Sequence, residues 1–295
     1  MYHQPVLLQE VLDFIPENPK LIVDGTLWHW WHTLEMIKQF QTQYPDSSIQ
    51  FLWLDLDKKM LDKAQGILSE KIESQIQILD LLHTSYAKID EILDTKKADY
   101  ILIDIGVNLE HFKDWERGFS IKKNADLDMR YDQTAEKSAF TIINKYSPTD
   151  LSKMFQDYGD FAEHKADELA KTITKERRNS PVKDTFWLKT ILNSCGLWEK
   201  AAAVIFQAIR IETNDELKNL KQFLEKFPNC LTSGWRCTII SYHSGEDRLV
   251  KNRFKELGAT EEFKLVTKKA VQPHYTEVQK NRASRSAKLR VIEKI

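Results

Sequence analysis

The 295 residues carry 43 Lys and Arg against 44 Asp and Glu, a formal net charge of −1, with 42% hydrophobic and 29% charged residues. This is the composition of an ordinary soluble globular chain, long enough for one large domain or two smaller ones. No apolar run approaches 18 residues, the start lacks a charged leader and cleavage site, and Cys195, Cys230 and Cys237 show no CxxC spacing, so we expect no membrane span, no signal peptide and no metal site, and reduced thiols in a cytoplasmic protein.

In chain order, apolar runs predict strands at Leu21–Asp24, Phe51–Asp55, Ile76–Leu79 and Tyr100–Asp104, with helical periodicity between them at His32–Gln43, Lys58–Ile72 and Ser85–Leu93. Such βαβ repetition implies a parallel sheet covered by helices on both faces. From about Asn124 to Ala203 the chain turns polar and helical, clearest at Leu151–Phe155 and Ala162–Arg177. A helix over Val204–Phe227, a strand over Cys237–Tyr242 and a final alternating strand at Lys288–Ile292 follow. The economical expectation is an α/β fold with an inserted all-helical domain. Its segments are 1–123 (core, first part), 124–203 (helical, substrate-binding insertion) and 204–295 (core, second part, with a basic C-terminal segment).

The loop after the first strand reads Asp24-Gly25-Thr26-Leu27-Trp28-His29-Trp30-Trp31-His32. Where strand, tight turn and helix bring backbone against a ligand, glycine is the residue that permits the approach. Three indoles stand there instead. Trp235 follows Gly234 before a strand, Trp198 lies in a loop before a helix, Trp53 interrupts Phe51–Asp55, and Trp115 sits in a polar turn; Trp187 is uninformative. Glycine is scarce, 9 of 295 residues, while Trp numbers 8; average glycine usage is about 7%. We therefore expect these eight positions to be glycines encoded by UGA and translated as tryptophan. The alternative is a Trp-rich protein using indoles for packing or base stacking.

Asp55 ends the second strand, where an acid in a doubly wound sheet hydrogen-bonds a ribose diol; a plain helix cap explains it equally. The first loop fits neither a dinucleotide fingerprint nor a P-loop. With glycine at the Trp positions it looks like an S-adenosylmethionine loop. Asp104 ends the fourth strand beside the switch point, where amino-group methyltransferases keep a polar residue facing the reacting nitrogen. An exocyclic amine is a weak nucleophile, and a carboxylate accepting its N–H helps localise the lone pair. A sulfonium donor needs neither metal nor covalent nucleophile. Asp104 also has the simpler reading of a helix cap.

Two polar runs, Arg117–Ser120 with Asp126–Arg130 and Ser241–Arg248, follow the fourth and fifth strands and should lie at the ligand-binding edge of the sheet. No nucleophile elbow accompanies the second, so His243 reads as a substrate-positioning or hydrogen-bonding residue rather than a base. Arg210 and Asn214 fall at i, i+4 on one helix face. Residues 264–295 carry a net charge of +7 and the rest −8, which suits either a phosphate-binding surface or a solvated tail.

Together these runs resemble the bacterial RsmH (MraW) methyltransferase family over nearly the whole chain. The matching motifs are His3-x-Pro5-Val6-Leu7-Leu8, Asp24-Gly25-Thr26, Asp104-x-Gly106-Val107, Glu116-Arg117-Gly118-Phe119-Ser120, Leu127-Asp128-Met129-Arg130, Phe206-Gln207-Ala208-x-Arg210-Ile211, Ser241-x-His243-Ser244-x-Glu246-Asp247-Arg248 and Arg285-Ser286-Ala287-Lys288-Leu289-Arg290. The resemblance implies a Rossmann-like class I S-adenosylmethionine-dependent methyltransferase sheet. It further implies methyl transfer to N4 of a cytidine in the decoding region of small-subunit (16S) rRNA, with the small ribosomal subunit and its rRNA as partners. By position, donor contacts fall on Trp30, Trp31, His32, Asp55, His83, Asp104 and His111, and catalytic roles on Asp104, Asn108 and His243. The family's Ser-Ser-Pro-Gln is Asn108-Leu109-Glu110-His111 here, and its Leu within the His-Ser-x-Glu-Asp-Arg run is Gly245. A homodimer is a further expectation. A catalytically inactive RNA-binding relative follows if the Trp residues are genuine; a DNA or small-molecule amino methyltransferase is disfavoured by the motifs.

Overall fold

The computed structural model describes residues 5–27, 30–71, 76–106, 111 and 115–295. These divide into two compact units, Met1–Gly106 with Leu217–Ile295, and Val107–Glu216. The second unit begins ahead of the expected boundary at 123 and ends beyond that at 203, where the helix Glu199–Thr213 packs with the helices Pro148–Gly159 and Ala139–Lys145.

The first unit is built on strands β1 (Leu21–Asp24), β2 (Ile49–Asp55), β3 (Ile76–His83), β4 (Ala98–Asp104), β5 (Leu231–Ser241), β6 (Phe263–Leu265) and β7 (Lys288–Lys294). They form one sheet in the order β3-β2-β1-β4-β5-β7-β6, parallel except for β7, which runs antiparallel to β5 and β6. This is a Rossmann-like, doubly wound sheet with one antiparallel strand near its edge. The sequence reversal between β1 and β4 leaves a crevice beyond their carboxyl ends, where such sheets bind ligands.

The central strands β1, β2 and β4 read as nearly unbroken apolar runs because both of their faces are buried. Val23, Leu52, Ile101, Ile103 and Ile239 point to one core with Phe223, Phe227 and Phe254. Their neighbours Ile22, Phe51, Trp53, Tyr100, Leu102 and Ile240 point to the other, with Met36, Ile37 and Phe40. Full burial of each such side chain contributes about 1.5–3 kcal/mol, so the register that places Asp24, Asp55 and Asp104 at one edge is strongly determined.

The second unit carries the helices Ala139–Lys145, Pro148–Gly159, Glu163–Asn179, Thr185–Ser194 and Glu199–Thr213. Side-chain caps begin three of them: Ser138 accepts from the Thr141 amide, Ser147 from Asp150 with Pro148 in the first turn, and Asp184 from Trp187. One correction concerns the expected helix Val204–Phe227. It is two helices, Glu199–Thr213 and Glu216–Cys230, broken at Asp215 with φ of 51°. Asn214 makes the break: its Oδ1 accepts from the Tyr131 amide at 2.7 Å and its Nδ2 donates to the Met129 carbonyl at 2.8 Å. The expected helix Ser85–Leu93 likewise starts as a 3-10 turn, Tyr86–Lys88, before Ile89–Leu93. β3 runs on to His83, and β5 begins at Leu231 and ends before Tyr242.

Candidate active site

At the carboxyl end of β1, Gly25 lies so close to β4 that an added Cβ would sit 2.4 Å from Ile103 Cδ1 and 3.0 Å from Tyr86 Cβ. The Gly25 amide donates to the Leu102 carbonyl at 2.9 Å. Thr26 then accepts on Oγ1 from the Asp104 amide at 2.7 Å, fastening the two strand ends together. The Asp24 carboxylate, 2% exposed, accepts from Thr33 Oγ1 at 2.6 Å and from the Thr26 amide at 3.2 Å. Burial raises its pKa to about 7 despite those bonds.

Trp28 lies outside the described residues. Trp30 is the N-cap of the helix Trp31–Gln43 and holds φ 49°, ψ 4°. A left-handed conformation is disfavoured for a residue with a bulky side chain and free for glycine. It is the one described Trp with positive φ. Trp53 is fully buried, stacked on Phe51 with centroids 5.7 Å apart, and its Nε1 finds no hydrogen-bond partner among the described residues. Trp198 is 64% exposed in an extended conformation open to any residue.

Asp104 ends β4. Its Oδ1 accepts from the Tyr242 hydroxyl at 2.9 Å, and Oδ2 stands 3.7 Å from His32 Nδ1. His32 Nε2 lies 3.0 Å from the Val6 carbonyl, which can only accept, so that nitrogen carries a proton and Nδ1 is the one turned to Asp104. Burial raises the Asp104 pKa to about 7, with the Tyr242 bond lowering it and Glu246 adding to the rise. Asp104 is thus a carboxyl group that changes charge near neutrality at the mouth of the switch point.

Asp55 and His83 are register partners at the ends of β2 and β3. Asp55 Oδ1 accepts from the Asp57 amide at 2.7 Å, which caps the turn into the helix Lys58–Lys71. His83 is exposed with Nε2 2.8 Å from the Leu56 carbonyl. His111 belongs to the second unit, buried and stacked with Phe119 and Tyr131 at centroid distances of 5.0 and 5.1 Å. Asn108 lies outside the described residues.

His243 is the N-cap of the helix Ser244–Leu257. It forms a capping box in which its Nδ1 accepts from the Glu246 amide. Glu246, wholly buried, accepts on Oε2 from the Tyr242 and His243 amides, and its Oε1 lies 2.9 Å from His243 Nε2. The ring of His243 is therefore held at the helix start through Nδ1, beside the segment that carries Tyr242. Within the first unit the structure gathers Asp24, Thr26, His32, Asp104 and Tyr242. Sequence reasoning passes over Asp24 and Thr33 as a bonded pair, and over Tyr242; only the place of Tyr242, directly after a strand at the ligand edge, could have marked it.

In the second unit a pocket of about 640 Å³ is lined by Phe119, Lys122, Lys123, Phe206, Gln207 and Arg210, among others. Arg210 is braced by Glu216 (Nε to Oε1, 2.8 Å), which also accepts from the Tyr131 hydroxyl at 3.2 Å. Elsewhere Asp247 accepts from Lys288 and Arg290 at 2.9 and 2.7 Å, tying the helix Ser244–Leu257 to β7; those cations hold its carboxyl below the usual range against the effect of burial. Lys268, Lys269, Lys280, Arg282 and Arg285 are exposed, with Tyr275 71% exposed beside them in sequence. Among the described residues no helix is long and apolar enough to cross a membrane, and no cluster of three His, Cys, Asp or Glu could hold a metal.

Comparison with known proteins places the site in context. The MraW methylase family matches residues 1–295. "Ribosomal RNA small subunit methyltransferase H" of Brachyspira hyodysenteriae is 37% identical over 309 residues, covering 99% of this chain and 97% of that protein. The proteins of the same name from Caldicellulosiruptor bescii and Clostridioides difficile are 36% and 34% identical over 316 and 320 residues, each with 99% of its own length covered.

Proposed function

Because the chain belongs to the MraW methylase family, we propose that it transfers a methyl group from S-adenosylmethionine to N4 of a cytidine in the decoding region of small-subunit rRNA, in the cytoplasm. The observation that carries this reading is Asp104: a strand-end carboxyl with a pKa of about 7, anchored through its amide to the Thr26 loop.

The donor fits the residues at that edge. Gly25 leaves no room for a side chain, the turn at Trp30 has a glycine conformation, and Asp55 ends β2 where a ribose acid is needed. Trp30, Trp31 and His32 would hold the donor through the turn and helix start, with Asp55, His83, Asp104 and His111 as its other contacts. When bound, S-adenosylmethionine supplies a methyl group on a sulfonium leaving group. Asp104 accepts an N–H of the cytidine amine, localises its lone pair and takes the proton released on methylation. Asn108 and His243 complete the site, His243 by fixing the segment after β5.

The partner is the small ribosomal subunit and its rRNA. Lys122, Lys123 and Arg210 bring cations to the pocket of the second unit, and the exposed Lys268–Arg285 cations add a phosphate-binding stretch. The inactive RNA-binding alternative is favoured at one position, Trp53, whose indole fills the core. A homodimer remains part of the proposal. The test is methylation of small subunits isolated from a strain lacking the gene, followed by mass mapping of the rRNA. A new methyl group on N4 of a decoding-region cytidine supports the reading; unmodified rRNA, or methyl on another atom, refutes it.

A further inference from the structure

Tyr242 occupies a place that the reaction as described does not use. Its hydroxyl donates to Asp104 Oδ1 at 2.9 Å, which leaves Oδ2 as the other carboxylate oxygen. Its ring lies against Gly106, where φ is 128° and an added Cβ would stand 3.0 Å from Tyr242 Cδ2. Only a glycine at the exit of β4 admits the ring in this position. Its amide donates to Glu246 Oε2 at 2.8 Å, and the adjoining His243 caps the helix Ser244–Leu257 through the same carboxylate. Side chain and main chain are thus both held, and a short rigid arm runs from the end of β5 across to the end of β4.

We propose that Tyr242 is a positioning residue for methyl transfer, fixing Asp104 through Oδ1 so that Oδ2 meets the amine of the substrate. This rests on the methyltransferase reading given above. As the amine nitrogen gains the methyl group, its surplus N–H proton passes to Oδ2, and the carboxylate becomes a carboxylic acid. Tyr242 keeps its own proton throughout, since burial first and then Asp104 push its hydroxyl far above the ordinary range. It is a donor and not the base.

The titratable and charged groups facing Asp104 come from several elements: His32 from the helix after β1, Asp24 from β1, and Glu246 and Tyr242 from the segment after β5. Glu277, which accepts from the Leu7 amide, acts on Tyr242 in turn. Of these, the Tyr242 bond favours the ionised Asp104 while burial and Glu246 oppose it.

The experiment is Tyr242→Phe in the full-length protein, with two readouts. Carbon-13 NMR titration of labelled aspartate carboxyls should show the Asp104 pKa moving upward. Methylation of unmodified small subunits should show kcat falling by about tenfold, as for one lost charge-assisted hydrogen bond. Donor affinity by calorimetry should be unchanged, and the acidic limb of the kcat–pH profile should move to higher pH. An unmoved carboxyl titration overturns the proposal whether or not the protein is active. A lower kcat that tracks a lower Tm, with the pH profile in place, overturns it as well. A carboxyl that shifts in a protein whose unsubstituted form methylates nothing refutes the methyltransferase reading and Tyr242's part in it, and leaves only the coupling of the two side chains.

Discussion

Replacing Trp30 and Trp31 together by glycine should open the donor site at little expense in stability. Trp30 sits at φ 49°, a conformation that is disfavoured by roughly 1–2 kcal/mol for a residue with Cβ and free for glycine. Both indoles are only partly buried against the core, so their removal forfeits about half of a fully buried aromatic's contribution, roughly 1–2 kcal/mol each. Glycine is well tolerated at the N-cap. The terms for Trp30 nearly cancel, and that for Trp31 sets a net loss of about 1–2 kcal/mol. For contrast, Trp53→Gly removes a wholly buried side chain and should lose about 3–5 kcal/mol if that Trp is native. Urea titration measures the stabilities, and calorimetric titration with S-adenosylmethionine measures binding. We expect the double variant to bind the donor at least about tenfold more tightly, about 1.4 kcal/mol, once backbone amides at the helix start can approach it. Unchanged donor affinity, or a stability loss for the pair as large as that of Trp53→Gly, would refute the reasoning. Protein purified from its own source offers a direct check. Its intact mass should be that of a chain with glycine at all eight Trp positions, and it should show no indole fluorescence.

Asp104→Asn keeps an oxygen for Tyr242 but cannot take a proton, so kcat should fall about 100-fold or more. The wild-type rate should rise with pH through about 7, and that rise should vanish in the variant; a pH–rate series on both proteins checks it. Asp24 is also raised to about 7, so the folded state holds its proton more tightly than the unfolded chain does. Its contribution to stability is then fully present below about pH 4 and declines as pH rises to about 7. Urea midpoints between pH 4 and 8 should fall less steeply in Asp24→Asn than in the wild type, and parallel slopes would contradict the burial argument. In the second unit Glu216→Ala removes the carboxylate that braces Arg210 and accepts from the Tyr131 hydroxyl. Losing these charge-assisted bonds should destabilise the protein by about 1.5–3 kcal/mol, read as a shift in the denaturation midpoint.

The part of this molecule legible in the sequence is the part governed by burial and sterics along a few consecutive residues. Leu21–Asp24 and Tyr100–Asp104 are apolar throughout because both sheet faces are covered, and each ends in an acid where the strand meets the ligand edge. Gly25 was readable for the same reason, since a backbone that must approach a neighbour excludes Cβ locally. What stayed hidden depends on partners far along the chain. The break at Asn214 requires the Tyr131 and Met129 backbone, more than 80 residues earlier. Histidine is an unusual N-cap, so the capping box that His243 forms with Glu246 was not legible in the Ser241–Arg248 run. The tuning of Asp104 was out of reach for the same reason, because burial and Glu246 raise its pKa while the bond from Tyr242, 138 residues away, lowers it. A strand-end acid becomes a group titrating near pH 7 only when the fold buries it. The identity of Asp104 therefore belongs to its local sequence, whereas its protonation state at neutral pH belongs to the topology that sets β5 beside β4.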